Sequence, residues 1–109
     1  MKTIFRFVCC LALIAVSIVL LACSHKGEIG QQVFQQQCGA CHNADNSDRK
    51  MGPGLKGLFH KAKLASNGKK VTEANVRAKI DEGGNGMPAY QEMLSDEDKD
   101  NVIAYLETL

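Results

Sequence analysis

Residues 38–42 read Cys-Gly-Ala-Cys-His, two thiols two residues apart with an imidazole directly behind the second. Few short stretches restrict a fold so strongly, because each chemistry open to this one demands a different setting. A structural zinc site needs four ligands, usually as two spaced pairs. A redox dithiol needs a helix N-terminus, where the dipole favours a thiolate, in a βαβ context. Covalent haem attachment needs C-x-x-C-H: the thiols add across the two vinyl groups of the ring, and the next residue turns its imidazole to the iron.

The rest of the chain separates these possibilities. The other cysteines are Cys9, Cys10 and Cys23, all near the N-terminus, and the other histidines are His25 and His60. There is no second close pair, and His42 lies too near Cys41 to close a tetrahedron readily with both thiols, which disfavours zinc. Gly30, Phe34, Cys38 and Cys41 recur at i, i+4, i+8 and i+11, one face of a 3.6-residue helix. That helix precedes the thiols, so they fall at its C-terminal end, where the dipole opposes a thiolate. No strand pattern flanks them, which disfavours the dithiol. Haem attachment is the reading these residues favour.

The N-terminal segment bears on the same question. Lys2 and Arg6 precede an apolar and small-residue run from Phe7 to Cys23, the layout of an export signal. The run is short for a membrane span, which needs ~20 apolar residues; a retained anchor is the alternative. Leu20-Leu21-Ala22-Cys23 resembles a bacterial lipobox, with cleavage before Cys23 and lipid on that cysteine, although Leu21 is bulkier than the residue usual there. An ordinary signal cleaved nearby is the competing reading. Ser24 follows, not the aspartate of an inner-membrane retention signal. The expected organisation is a lipoprotein-type signal peptide over 1–22, a lipidated tether over 23–28 and one folded domain over 29–109. Export implies an oxidising compartment, where a thiol pair without a use would not persist. Loss of Lys2 and Arg6 changes 13 basic residues against 12 acidic to 11 against 12. No nucleic-acid partner is expected.

The domain is all-α in pattern, with three to four helices and long loops. Thr72 and Ser95 are N-cap residues, each followed by acid in the first turn. Val71 and Val76 occupy staple positions, Val76 and Ile80 form an inner stripe, and Gly83-Gly84 supplies a stop. The last helix carries a stripe of Val102, Tyr105, Leu106 and Leu109. Residues 43–59 read as a loop around Pro53, with Leu55, Leu58 and Phe59 returning to the core, and Asn67-Gly68 as a turn. A domain of this size buries only about 60–65% of its unfolded surface and gains from an internal apolar cofactor.

Four stretches in order carry a family resemblance: Gly30, Phe34, Cys38, Cys41 and His42; the Gly-Pro loop at 52–59; Gly-Gly-Asn-Gly-Met-Pro-Ala-Tyr at 83–90; and Leu94–Leu106. Over residues 27–109 the chain resembles a small class I, monohaem, His/Met bacterial cytochrome c. The resemblance implies three to four helices and loops wrapped around one covalent haem c. It makes Cys38 and Cys41 the thioether anchors and His42 one iron ligand, with its second ring nitrogen bonded to the carbonyl of Pro53. It makes Met87 the other axial ligand. Met51 and Met93 then take duller roles, Met93 in the core or at the start of the last helix; His25 and His60 could in principle ligate iron, His60 being the main rival to Met87, but a solvent-exposed histidine is the commoner case for each. It implies a crossing of the first and last helices at Gly30, with Phe34 and Tyr105 beside it.

The function so implied is a one-electron carrier rather than an enzyme, exported and lipid-anchored at Cys23, facing the periplasm or cell exterior. Its partners would be redox proteins or a membrane respiratory complex. A haem sensor or peroxidase-like protein, or a subunit of a larger respiratory complex, is the alternative. Basic residues crowd 49–79 and acidic residues crowd 81–100. This reads either as a steering surface for an acidic partner or as an ordinary solvated surface.

Overall fold

The computed structural model describes residues 25–109, together with Met1 and Val8. The signal peptide expected over 1–22 and the lipidation expected at Cys23 lie outside the described residues, apart from those two positions. Among the described residues no helix is long and apolar enough to cross a membrane.

Three α-helices form the domain: α1 over residues 25–37, α2 over Glu73–Glu82 and α3 over Asp96–Leu106, with a short 3-10 turn at Leu58–His60. The described residues contain no strand; isolated bridges join Lys63 to Lys70 and Gly84 to Met87. This is the expected all-α architecture. Residues 25–28, expected in the tether, are helical and continue α1.

Gly30 explains how α1 meets α3. A Cβ there would overlap the backbone carbonyl of Asn101 and stand 2.9 Å from Tyr105 Cβ. Only a residue without a side chain lets the two backbones approach so closely, and this outweighs the roughly 1 kcal/mol that a helical glycine costs. One turn further on, the Phe34 and Tyr105 rings meet at 5.5 Å between centroids, tilted by 57°, within the range of favourable aromatic pairs.

The α2 cap is as expected: Thr72 Oγ1 accepts from the Asn75 N–H at 3.2 Å. Gly83 ends the helix at φ 62°, and Val76 and Ile80 are buried. In α3, Ser95 Oγ accepts from the Asp98 N–H at 3.1 Å. Its buried face is wider than the expected stripe. Val102 and Leu106 are buried, but so are Ile103, Asn101 and Lys99, while Tyr105 and Leu109 are half-buried against the core. The reason is that α3 packs on α1 with one side and on α2 with another. Lys99 Nζ lies 2.8 Å from Asp81 Oδ1 of α2 and donates to the Gln91 carbonyl at 3.1 Å. The bond to Asp81 holds the Lys99 ammonium above the ordinary lysine range. Arg77 of α2 pairs with Asp100 and reaches Asp96 at 3.6 Å. The acids of α3 therefore clamp α2 as well as favour their own helix terminus.

Candidate haem site

The CGACH stretch begins where α1 ends. The N–H groups of Cys38 and Gly39 both donate to the Phe34 carbonyl at 2.8 Å, and those of Cys41 and His42 both donate to the Cys38 carbonyl at 3.0 Å. This single turn brings Cys38, Cys41 and His42 to the wall of one cavity. Burial first, and then neighbouring Cys41, pushes the Cys38 thiol up to about 11. This setting opposes the thiolate that a redox dithiol requires. Among the described residues no three His, Cys, Asp or Glu side chains gather as a metal site.

The Gly-Pro loop closes against this turn. Gly52 N–H donates to the Cys41 carbonyl at 2.9 Å and Leu55 N–H to the Asn43 carbonyl at 2.7 Å. His42 Nδ1 donates to the Pro53 carbonyl at 2.8 Å. A carbonyl can only accept, so Nδ1 carries a proton, and in the neutral imidazole this leaves the lone pair on Nε2. Gly52 is required here, since a Cβ would stand 2.7 Å from His42 Nδ1 and 2.9 Å from Nε2.

Met87 enters the same cavity from a loop after α2. Gly84 N–H donates to the Met87 carbonyl at 2.9 Å, and Met87 N–H returns a bond to the Gly84 carbonyl at 3.2 Å. Asn85 and Gly86 between them have φ of 55° and 87°, the left-handed pair of a type I′ turn, for which Asn-Gly is the favoured sequence. A Cβ on Gly83 would press on the Met87 and Pro88 carbonyls at 2.5 Å. Met87 itself is half-buried against the core.

The cavity has a volume of about 390 Å³, within the range of small-molecule sites. Leu55, Leu58, Leu64 and Ile80 supply apolar wall. Arg49, Lys61, Lys63 and Lys79 also line it, and among the described residues no carboxylate does. Two thiols, an imidazole with a free Nε2 and a thioether in one apolar cavity fit a covalently held haem. His25 and His60 are exposed and do not line the cavity. Met51 is exposed at its edge; Met93, expected in the core or at the start of α3, is exposed in the turn before that helix.

Sequence reasoning passed over two residues of the site. Tyr90 is buried and donates its hydroxyl to the Gln37 carbonyl at 2.8 Å, tying the Met87 loop to the end of α1. Lys79 donates to the carbonyls of Gly83 at 2.6 Å and Gly84 at 3.3 Å. The signal for Tyr90 was an aromatic three residues beyond Met87; for Lys79 it was a cation in the last turn of a helix.

A family model described as cytochrome C oxidase, cbb3-type, subunit III matches residues 25–106. The chain belongs to this family of c-type cytochromes. It is 38% identical over 79 residues to cytochrome c6 of Picosynechococcus, covering 71% of this chain and 68% of that one. It is 36% identical over 59 residues to cytochrome c-550 of Bacillus subtilis, covering 54% and 41%. Among solved structures, cytochrome c6 of the diatom Phaeodactylum tricornutum superposes with a TM-score of 0.59 at 30% identity, covering 75% of this chain and 91% of that one. The cofactor of this cytochrome is one covalent haem c, and its CxxCH stretch is Cys38–His42.

Proposed function

We propose that this cytochrome is a one-electron carrier whose haem is anchored by Cys38 and Cys41 and ligated by His42 and Met87. The observation that carries the reading is the gathering of all four side chains on one cavity, with His42 Nδ1 already committed to Pro53. The haem supplies the one-electron change; the chain's residues set its conditions. The bond to the Pro53 carbonyl orients the imidazole and raises its basicity. The Met87 thioether as second ligand would favour the reduced state relative to a second histidine. With His42 and Met87 on braced loops as the axial ligands, the chain would rearrange little on transfer, and two protein ligands would leave no position for a substrate. The carrier is then not an enzyme.

The N-terminal expectations join this proposal: export by the segment 1–22, lipid on Cys23, and a place on a bacterial membrane facing the periplasm or cell exterior. Redox proteins or a membrane respiratory complex are the partners. A second reading, as the electron-transfer subunit of a larger assembly, draws support from the description of the matching family as an oxidase subunit. Co-purification with a membrane oxidase under mild detergent would favour it over a free carrier.

The deciding experiment is the visible spectrum in both oxidation states. The ferric protein is expected to show the weak band at the red end that reports a sulfur–iron bond, and Met87→Ala to lose it. An intact band in Met87→Ala would overturn the ligand assignment. Ready binding of exogenous ligands by the wild type would favour a sensor or peroxidase-like role.

A further inference from the structure

The loop that carries Met87 is held unequally at its two ends. Its far end is fixed four times: Tyr90 N–H donates to the Ile80 carbonyl at 3.0 Å and Gln91 N–H to the Asp81 carbonyl at 3.3 Å, Tyr90 Oη to Gln37, and buried Lys99 to the Gln91 carbonyl. Its near end has a tight turn of its own, a backbone bond from Gly83 N–H to the Lys79 carbonyl at 2.9 Å and a long bond from Asn85 Nδ2 to the Ser66 carbonyl at 3.5 Å, but among the described residues only one charged side chain reaches it. That side chain is Lys79, on the carbonyls of Gly83 and Gly84. A lysine in the last turn of a helix ordinarily caps that helix. Lys79 goes further, because Gly84 also exchanges both backbone bonds with Met87. The ammonium therefore grips the turn from which Met87 projects.

We propose that Lys79 is the positioning residue for Met87, setting how rarely the ligand loop swings away from the cavity. The inference rests on the assignment of Met87 as a ligand. Its grip is charge-assisted and half-buried, so it is stronger than a neutral bond in water. Removing it leaves the near end of the loop with the type I′ turn, the Gly83 backbone bond and the long Asn85–Ser66 bond, none of them charge-assisted, and the population with Met87 released rises.

An exogenous ligand that binds only when Met87 has left reports that population, since its apparent affinity scales with the competent fraction. Imidazole added to the ferric holoprotein and followed at the red band is the probe. Lys79→Met keeps the apolar stem and is expected to raise apparent imidazole affinity about tenfold, the size of losing one charge-assisted hydrogen bond. Lys79→Arg is expected to restore affinity to within about twofold of wild type, because a guanidinium can donate to the same carbonyls. Lys70→Met, exposed and outside the cavity, serves as the charge control and should leave affinity unchanged. Lys79→Gln replaces Lys79→Met should the latter not accumulate. Unchanged affinity in Lys79→Met, or an equal rise in Lys70→Met, overturns the inference while the Met87 assignment stands. A wild type without the red band overturns both.

Discussion

The wall of the cavity that carries His42 is assembled within one stretch, residues 38–55, almost wholly from backbone bonds and close glycine contacts. The wall that carries Met87 borrows its supports from elsewhere: Lys79 of α2, Lys99 of α3 and the last carbonyl of α1. A wall built from its own backbone has no soft parts, since the bonds that place His42 also define the turn. A wall held by long side chains has separate, individually weaker fastenings. The His42 side should therefore fail all at once, and the Met87 side by degrees.

The largest effect is expected on the rigid side. In Gly52→Val the added side chain falls on the His42 ring, which has no room to yield without giving up Pro53. Overpacking at such a site costs about 3 kcal/mol, or roughly 12–24 °C in Tm for a domain of this size. Thermal unfolding followed by haem absorbance measures it. A variant that melts like the wild type would show the His42 wall to be as adaptable as the other.

Next in size is the crossing that supports both walls. Gly30→Val drives a side chain into the Asn101 carbonyl and Tyr105. We expect about 2–3 kcal/mol of destabilisation from the separation of α1 and α3, with the visible spectrum unaltered in the protein that remains folded. Unchanged Tm would break the claim that close approach of the two backbones is what Gly30 provides.

The same contrast governs what was legible in the sequence. Thr72, Ser95, Gly83 and the helical spacing from Gly30 to Cys41 could be read because their signals lie within a few residues. The haem motif is local too, and so is Asn85-Gly86, a hairpin signal that went unused inside the loop. The supports of the Met87 wall join distant parts of the chain. Tyr90 and Gln37 are 53 positions apart, and nothing around either announces the other. Lys99 reads as one more solvated residue in an acidic, charged run; only the approach of α2 buries it beside Asp81. For Met93 the core alternative failed and the helix-entry one did not, since it lies in the turn before α3 and apolar character alone did not reveal that this turn faces solvent.

A smaller effect is expected at the far end of the Met87 loop. Tyr90→Phe keeps the buried ring and removes only the hydroxyl, leaving the Gln37 carbonyl without that donor. We expect a loss of about 1 kcal/mol in stability and at most a threefold rise in imidazole affinity, because the Ile80 and Lys99 bonds still hold the segment. A rise larger than that of Lys79→Met would invert the proposed order of fastenings and place the hinge at the wrong end of the loop.

The smallest effect separates the two walls by charge. Lys79 is occupied with loop carbonyls, whereas Arg49 and Lys63 line the cavity without an ion pair among the described residues. The full chain has a formal net charge of only +1, so a strong salt dependence of electron transfer would report the local field at this face rather than the molecule's total charge. With anionic hexacyanoferrate as the small redox probe, the rate should fall as salt rises, and with a cationic ruthenium ammine it should rise. Arg49→Gln and Lys63→Gln should each lower the anionic rate about twofold at low ionic strength and have little effect near 1 M salt, where the screening length is about 3 Å. Equal, salt-independent rates for both probes would mean that these cations are ordinary surface residues, and that the two walls differ in mechanics but not in the field they present to a partner.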